Sequence, residues 1–150
     1  MPSYAGLHPS SLRASIAARG SSRKTNTTPE LLLRRALWKE GLRYRKNKRD
    51  LVGIPDIVFS VARLVVFVDG DFWHGNNWKQ RKIKLSKGHN STYWVSKVER
   101  NIIRDREQNR KLRASGWTVL RVWESDIQGN IAKVVDRVKV ALVQRRTTIF

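Results

Sequence analysis

The sequence predicts a small mixed α/β domain, with a central sheet flanked by helices, and three observations carry that expectation. The chain has 150 residues, about one domain's worth. Hydrophobic residues make up 40% of it, enough to fold around a single core. Its periodicity runs helix, three strands, helix, strand, helix, without repeats or a second domain.

Residues 1–27 mix Ser, Arg, Pro and Gly without a sustained apolar period. They are read as a basic arm with a short helical piece around Leu12 to Ala18. Disorder and ordering on a phosphate backbone are both open to such an arm, and are compatible. The folded domain is expected over 28–145. Its first helix has Thr28 as a cap, Pro29 at the first position and Glu30 at the positive end of the dipole. Leu33 and Leu37 repeat at four-residue spacing, and Gly41 stops the helix.

Three strands follow. Leu42 to Lys46 alternates like a half-exposed strand. Gly53 to Phe59 and Arg63 to Asp69 are more apolar, and the few residues between them imply a tight antiparallel hairpin. Asp71 to Ser91 is rich in Lys, Asn and Gly and reads as a long functional loop. A long helix is expected over Thr92 to Ala114, ending at Gly116. Trp117 to Trp123 reads as the fourth strand and Ile127 to Val143 as the last helix.

Composition narrows the chemistry. Lys and Arg number 31 against 12 Asp and Glu, a formal charge of +19. Such self-repulsion costs stability, and a polyanionic partner is the simplest way to make it useful, so nucleic acid leads. The chain has no cysteine, which excludes a disulfide scaffold, a thiol nucleophile and a thiolate zinc site. His8, His74 and His89 are too scattered to cage a metal alone. No apolar run approaches a membrane span, and the start lacks the apolar core of a secretory signal. A soluble, cytoplasmic protein is expected.

In so basic a chain each carboxylate needs a reason. Asp56 opens one apolar strand and Asp69 closes the next, so the hairpin brings both to one edge of the sheet, with Asp71 close by. Clustered carboxylates repel a polyanion unless divalent cations intervene, the arrangement of a Mg²⁺-dependent phosphodiesterase. The alternative is that they pair with surplus Lys and Arg. Glu30 heads a core-facing stripe, either as a dipole partner or as part of a site. Trp94, Val98, Ile102, Asp105 and Leu112 share one helix face, which makes Asp105 an ionisable group on an apolar stripe. His74 is its candidate partner, since an Asp that holds a His makes a general base for water. Phe72 and Trp73 suit stacking on bases or wedging between base pairs, or else cap the core. Arg23 and Lys24 in the arm, and Lys79, Lys82 and Lys84 in the loop, are the expected phosphate contacts.

Taken together these residues resemble the very-short-patch-repair (Vsr) endonuclease family, a branch of the PD-(D/E)xK restriction-endonuclease-like fold. The likeness covers roughly residues 21–143. It rests on Thr28-Pro29-Glu30-Leu31-Leu32-Leu33, the run Gly41 to Arg45 and the run Gly53 to Phe59. Val66 to Gly75, Trp94 to Asp105 and Gly116 to Glu124 complete it. The resemblance implies a central mixed sheet and double-stranded DNA as partner, with other repair proteins acting nearby. It makes Asp56 the central Mg²⁺ ligand, helped by the Val68 carbonyl, while Glu30 holds a water of the hydrated ion. His74, oriented by Asp105, would activate the attacking water, and Phe72 and Trp73 would intercalate. Family members nick one strand 5′ to the thymine of a T:G mismatch, and a bacterial, nucleoid-associated setting follows.

Two departures stand out. Typical members carry a structural zinc site, whose positions here read Asp71, Asn76, Trp78 and Ser125. No structural zinc is expected, and the loop must be held otherwise, with burial of Trp78 as one way. The family usually has His where this chain has Asp69, which is instead a candidate metal ligand and catalytic residue. The expected function is therefore a Mg²⁺-dependent endonuclease nicking at T:G mismatches. One alternative is a restriction or phage-defence nuclease acting on matched or modified DNA; another is a non-catalytic DNA-binding module.

Overall fold

A computed structural model describes residues 27–149, with the side chains of 146–149 left aside. The expected arm, including Arg23 and Lys24, lies outside the described residues apart from Thr27. Helix α1 spans Thr28–Lys39. Its cap is Thr27 rather than Thr28: the Thr27 hydroxyl accepts from the Glu30 backbone N–H at 3.4 Å. Pro29 and Glu30 then occupy the first turn, as their chemistry favours.

The four strands are β1 (Arg45–Lys46), β2 (Ile57–Phe59), β3 (Leu64–Asp69) and β4 (Thr118–Trp123), adjacent in that order in one sheet. β1 to β3 are antiparallel and β4 runs parallel to β3, with Leu64 opposite Thr118 and Asp69 opposite Trp123. The sheet is thus mixed, as expected. The first two strands are shorter than their sequence patterns imply. Gly53 and Ile54 have φ of 77° and 51°, incompatible with a ladder, and Pro55 has no N–H to offer one. Leu42 and Tyr44 leave the strand pattern to pack on the core, and the Tyr44 hydroxyl donates to the Arg34 carbonyl at 2.8 Å.

The stretch expected as an open loop contains helix α2, Trp78–Ser86, which buries none of its residues. Its sequence shows little apolar period because it has almost nothing to bury. Helix α3 spans Ser91–Ala114. The expected last helix is two, α4 (Glu124–Gly129) and α5 (Ile131–Ile149), broken at Asn130, whose φ is −154°. No helix among the described residues is long and apolar enough to cross a membrane.

Strand alternation sorts the core onto two faces. Ile57, Phe59, Leu64, Val66 and Val122 face α1 and α5, meeting Leu33, Leu37, Val134 and Val138. Val58, Val65 and Phe67 face the other way, onto Leu112 of α3. The same alternation continues to the strand ends. Asp69 shares the α3 side with Phe67, and Arg121 shares it with Val119. Period two therefore aims an acid and a cation at the helix that carries Asp105.

Candidate active site

The β2–β3 hairpin brings Asp56 and Asp69 to one sheet edge, as its sequence implies. Asp56 Oδ2 accepts the Val68 backbone N–H at 2.6 Å. A strand residue sends its N–H and C=O to the same side, so the Val68 carbonyl lies on the β2 side of β3 as well. Burial pushes the Asp56 carboxyl up to about 7, the Val68 hydrogen bond opposes this, and the charges of Glu30 and Asp69 add to it. Among the described residues no cation lies within salt-bridge distance of Asp56.

Its two acidic neighbours are better provided for. Glu30, 1% exposed, pairs with Arg34 at 3.1 Å one helical turn on. Asp69, 4% exposed, accepts from Arg121 Nη1 at 3.0 and 3.1 Å. Burial raises the Asp69 pKa against the pull of His74 and Arg121. Arg121 also reaches Asn109 and Gln108 of α3 at 2.8 and 3.0 Å, lies 3.5 Å from Asp105 and stacks over Phe67.

His74 and Asp105 come together across 31 residues, with Nδ1 donating to Asp105 Oδ2 at 2.5 Å. Nε2 is thereby left as the acceptor in the neutral ring. Burial disfavours the imidazolium, but the Asp105 hydrogen bond and the charges of Asp69 and Asp105 outweigh it and raise the His74 pKa. Asp69, His74 and Asp105 offer ligand atoms all within 4.8 Å of one another. A metal ion at that cluster would share Asp69 with the Arg121 guanidinium, whereas at Asp56 it would meet a carboxylate that among the described residues has no salt-bridge cation and only the more distant charge of Arg34.

Gly75 fixes how this loop lies on α3. Its φ is +75°, and a Cβ there would come within 2.5 Å of Ile102, so only glycine lets the chain pass. The loop's other anchor is Asp71. Its carboxylate accepts from Asn76 Nδ2 at 2.7 Å, from the Ser125 N–H at 3.0 Å and from the Ser125 hydroxyl. Burial raises the Asp71 pKa, but these bonds overcome it and the net direction is down. Three of the four positions that carry zinc in the resemblance thus form a hydrogen-bonded knot, while Trp78 is only half-buried. Glu124, the first residue of α4, adds to the acidic field; burial, then Asp71, raises its pKa.

Phe72 and Trp73 pack edge to face at 4.8 Å, and both rest on Trp94 of α3, at 6.2 and 5.6 Å. Both are half-buried and neither belongs to the two core clusters. Lys97 lies 5.0 Å over the Trp73 ring, and Asn101 Nδ2 donates to the Trp73 carbonyl at 3.1 Å. Lys79, Lys82 and Lys84 are exposed on α2, with Lys82 paired to Glu99 at 3.4 Å.

Sequence reasoning missed Arg121 and Glu124. Arg121 left a signal, since a lone cation between Leu120 and Val122 in an apolar strand needs a buried acid on the same face. Glu124 left none, because only the parallel pairing of β3 with β4 sets it beside Asp71, whereas Ser125 was already grouped with Asp71 by the resemblance.

Comparison with known proteins gives the family. Residues 8–80 match the family described as DNA mismatch endonuclease Vsr. The type II nicking enzyme V.NmeDIP of Neisseria meningitidis serogroup C is 45% identical over 122 residues, 81% of each chain. V.HpaIIP of Haemophilus parainfluenzae is 40% identical, covering 85% of this chain and 89% of its own. The DNA mismatch endonuclease Vsr of Escherichia coli K12 is 34% identical over 69% of this chain and 65% of its own. With these matches and a mixed sheet of the restriction-endonuclease type, this chain belongs to the Vsr family of DNA endonucleases.

Proposed function

We propose that this DNA-nicking endonuclease cuts one strand of a duplex beside the thymine of a T:G mismatch, with Mg²⁺ held by Asp56 and the Val68 carbonyl. The observation that carries the reading is Asp56: a largely buried carboxylate, without a salt-bridge cation among the described residues, beside a His–Asp pair. Its hard oxygen donors suit a divalent ion. When bound, that ion screens the scissile phosphate and makes water more acidic.

The remaining steps belong to the chain's own groups. His74 Nε2 accepts the proton of the attacking water, and Asp105 keeps Nδ1 protonated and the ring oriented. Glu30 orients water near Asp56, and Asp69 adds its charge beside the metal while Arg121 holds it in place. Phe72 and Trp73, braced on Trp94, wedge into the duplex, which a poorly stacked mismatch yields at lower cost. Lys79, Lys82 and Lys84 contact phosphates, as do Arg23 and Lys24 of the arm. Structural zinc has no role in this reading, because the Asp71 knot ties the loop to α4. Work on the bacterial nucleoid, with repair proteins that restore the nicked strand, would follow.

The deciding experiment is cleavage of an end-labelled duplex with one central T:G mismatch, in Mg²⁺, beside its matched twin. Cutting of only the mismatched duplex, on the thymine strand and absent in Asp56→Ala, is the expected result. Relatives named type II nicking enzymes favour a second reading, a matched or modified target of restriction type. Equal cutting of both duplexes would support that second reading. DNA binding without cutting, equal in Mg²⁺ and EDTA, would leave a non-catalytic binding module.

A further inference from the structure

On the outer side of α1, away from the core stripe of Leu33 and Leu37, a groove of about 400 Å³ opens toward β1. Leu31, Trp38 and Tyr44 give it an apolar floor, and Arg35, Lys39 and Lys46 rim it, beside Arg34. None of its described lining residues is acidic. Trp38 is 52% exposed, an unusual position for the largest apolar side chain. It is nonetheless held in place: Arg43 lies 3.5 Å over its ring, and Tyr44 meets it edge to face at 6.1 Å. Tyr44 in turn rests on Phe59 of the core. A braced aromatic surface is therefore presented among cations.

We propose that this groove is a second nucleic-acid site, which takes a single-stranded DNA segment with a base on Trp38 and phosphates on Arg35, Lys39 and Lys46. Charge complementarity selects a polyanion. The mixture of aromatic floor and cationic rim then selects an unpaired strand, because a duplex keeps its base faces stacked and offers only phosphates. Glu30, at the other end of α1, lies in the active site. Eight residues separate it from Trp38, about 12 Å along the helix, or roughly three to four nucleotides at the stacked B-form rise and fewer in an extended strand. Unpaired DNA next to the cut can thus reach the groove. The assignment rests on DNA as the substrate, but not on the identity of the metal or the mismatch.

The test is fluorescence anisotropy of a short labelled oligothymidylate with the full chain in EDTA, paired with nicking assays on blunt mismatched duplex. Trp38→Ala is expected to weaken oligothymidylate binding about tenfold, the loss of one stacked base, and Trp38→Phe to restore most of it. Lys39→Ser with Lys46→Ser is expected to flatten the log–log salt slope by about 1.4, for two phosphates lost on a single strand. All three variants should nick the blunt duplex at the wild-type rate, which also shows that they fold. Unchanged oligothymidylate affinity in Trp38→Ala overturns the proposal. So does competition by a polyglutamate peptide with the same dependence on Trp38, which would make the groove a protein-docking surface. Loss of nicking in Trp38→Phe overturns it too, since the groove would then belong to the cut duplex. Failure of Asp56→Ala to stop nicking would instead sink the active-site assignment and leave this site standing.

Discussion

Asp56 and Asp69 stand at the same sheet edge on neighbouring strands, and burial raises both of their pKa values. Their partners differ. Asp69 has a permanent cation, Arg121, itself anchored to Asn109 and Gln108. Asp56 has one backbone N–H and no salt-bridge cation among the described residues. Two acids of like burial are thus handled in opposite ways. A built-in guanidinium makes Asp69 part of the scaffold that steers His74 and Asp105. The missing cation makes Asp56 costly in the free protein, as expected of the metal ligand proposed above. Local destabilisation at a site that binds charge would be a familiar trade between stability and function.

The sharpest way to break this comparison is Asp56→Asn. Nicking is expected to fall at least about 10³-fold, from loss of the metal's charge stabilisation. Stability should move the other way. With a pKa near 3.8 unfolded and about 7 folded, the folded chain holds more protons than the unfolded one between those values. Stability therefore falls as pH rises through that window, and the cost is complete above it. In EDTA at about pH 8, Asp56→Asn should gain up to roughly 4 kcal/mol, and the gain should vanish near pH 4. Urea unfolding at the two pH values measures it. Equal stability at both would mean that Asp56 is not carrying an unpaired charge. Mg²⁺ should raise the melting temperature of the wild type and leave that of Asp56→Asn unchanged.

Arg121→Ala probes the other half. It strands Asp69 and Asp105 without their cation and should cost about 3–5 kcal/mol in the same unfolding experiment. A loss below 1 kcal/mol would put Asp69 on the same footing as Asp56 and end the contrast.

Asp105→Asn should lower the nicking rate roughly 100-fold. Because Asp105 helps to hold the His74 pKa above its ordinary value, the alkaline-rising limb of the rate profile should move to lower pH in the variant. A limb that stays put would remove His74 from the role of base. Smaller still, Phe72→Ala with Trp73→Ala should reduce discrimination between mismatched and matched duplexes about tenfold, while matched-duplex binding persists. Preference that survives unchanged rejects the wedge. Asp71→Ala should cost about 1–3 kcal/mol, since it leaves Asn76 and Ser125 without their acceptor. It should also slow nicking, by loosening the loop that carries His74.

Much of the site was legible because its residues violate their surroundings. Asp56 and Asp69 end apolar strands, and Asp105 interrupts an apolar helix stripe, so the patterns that predict the core also mark the exceptions. The hairpin length alone brought Asp56 and Asp69 to one edge. Helix α2 was not legible, because a helix that buries nothing carries no apolar period. The shortness of β1 and β2 escaped for other reasons: Leu42 and Tyr44 leave the strand pattern to pack on the core, and positive φ at Gly53 and Ile54 removes those residues from the β2 ladder.

By itself, then, the sequence determined the order of elements, the two-faced sheet, the acidic edge and the basic character that calls for DNA. Those properties are local or periodic, and hydrophobic burial enforces them residue by residue. Only the tertiary structure decided which acid is neutralised. The parallel pairing of β3 with β4 brings Arg121 to Asp69 and Ser125 to Asp71, across 52 and 54 residues. Chain neighbours say nothing about such partners, because a parallel pair is closed by a crossover helix rather than by a turn.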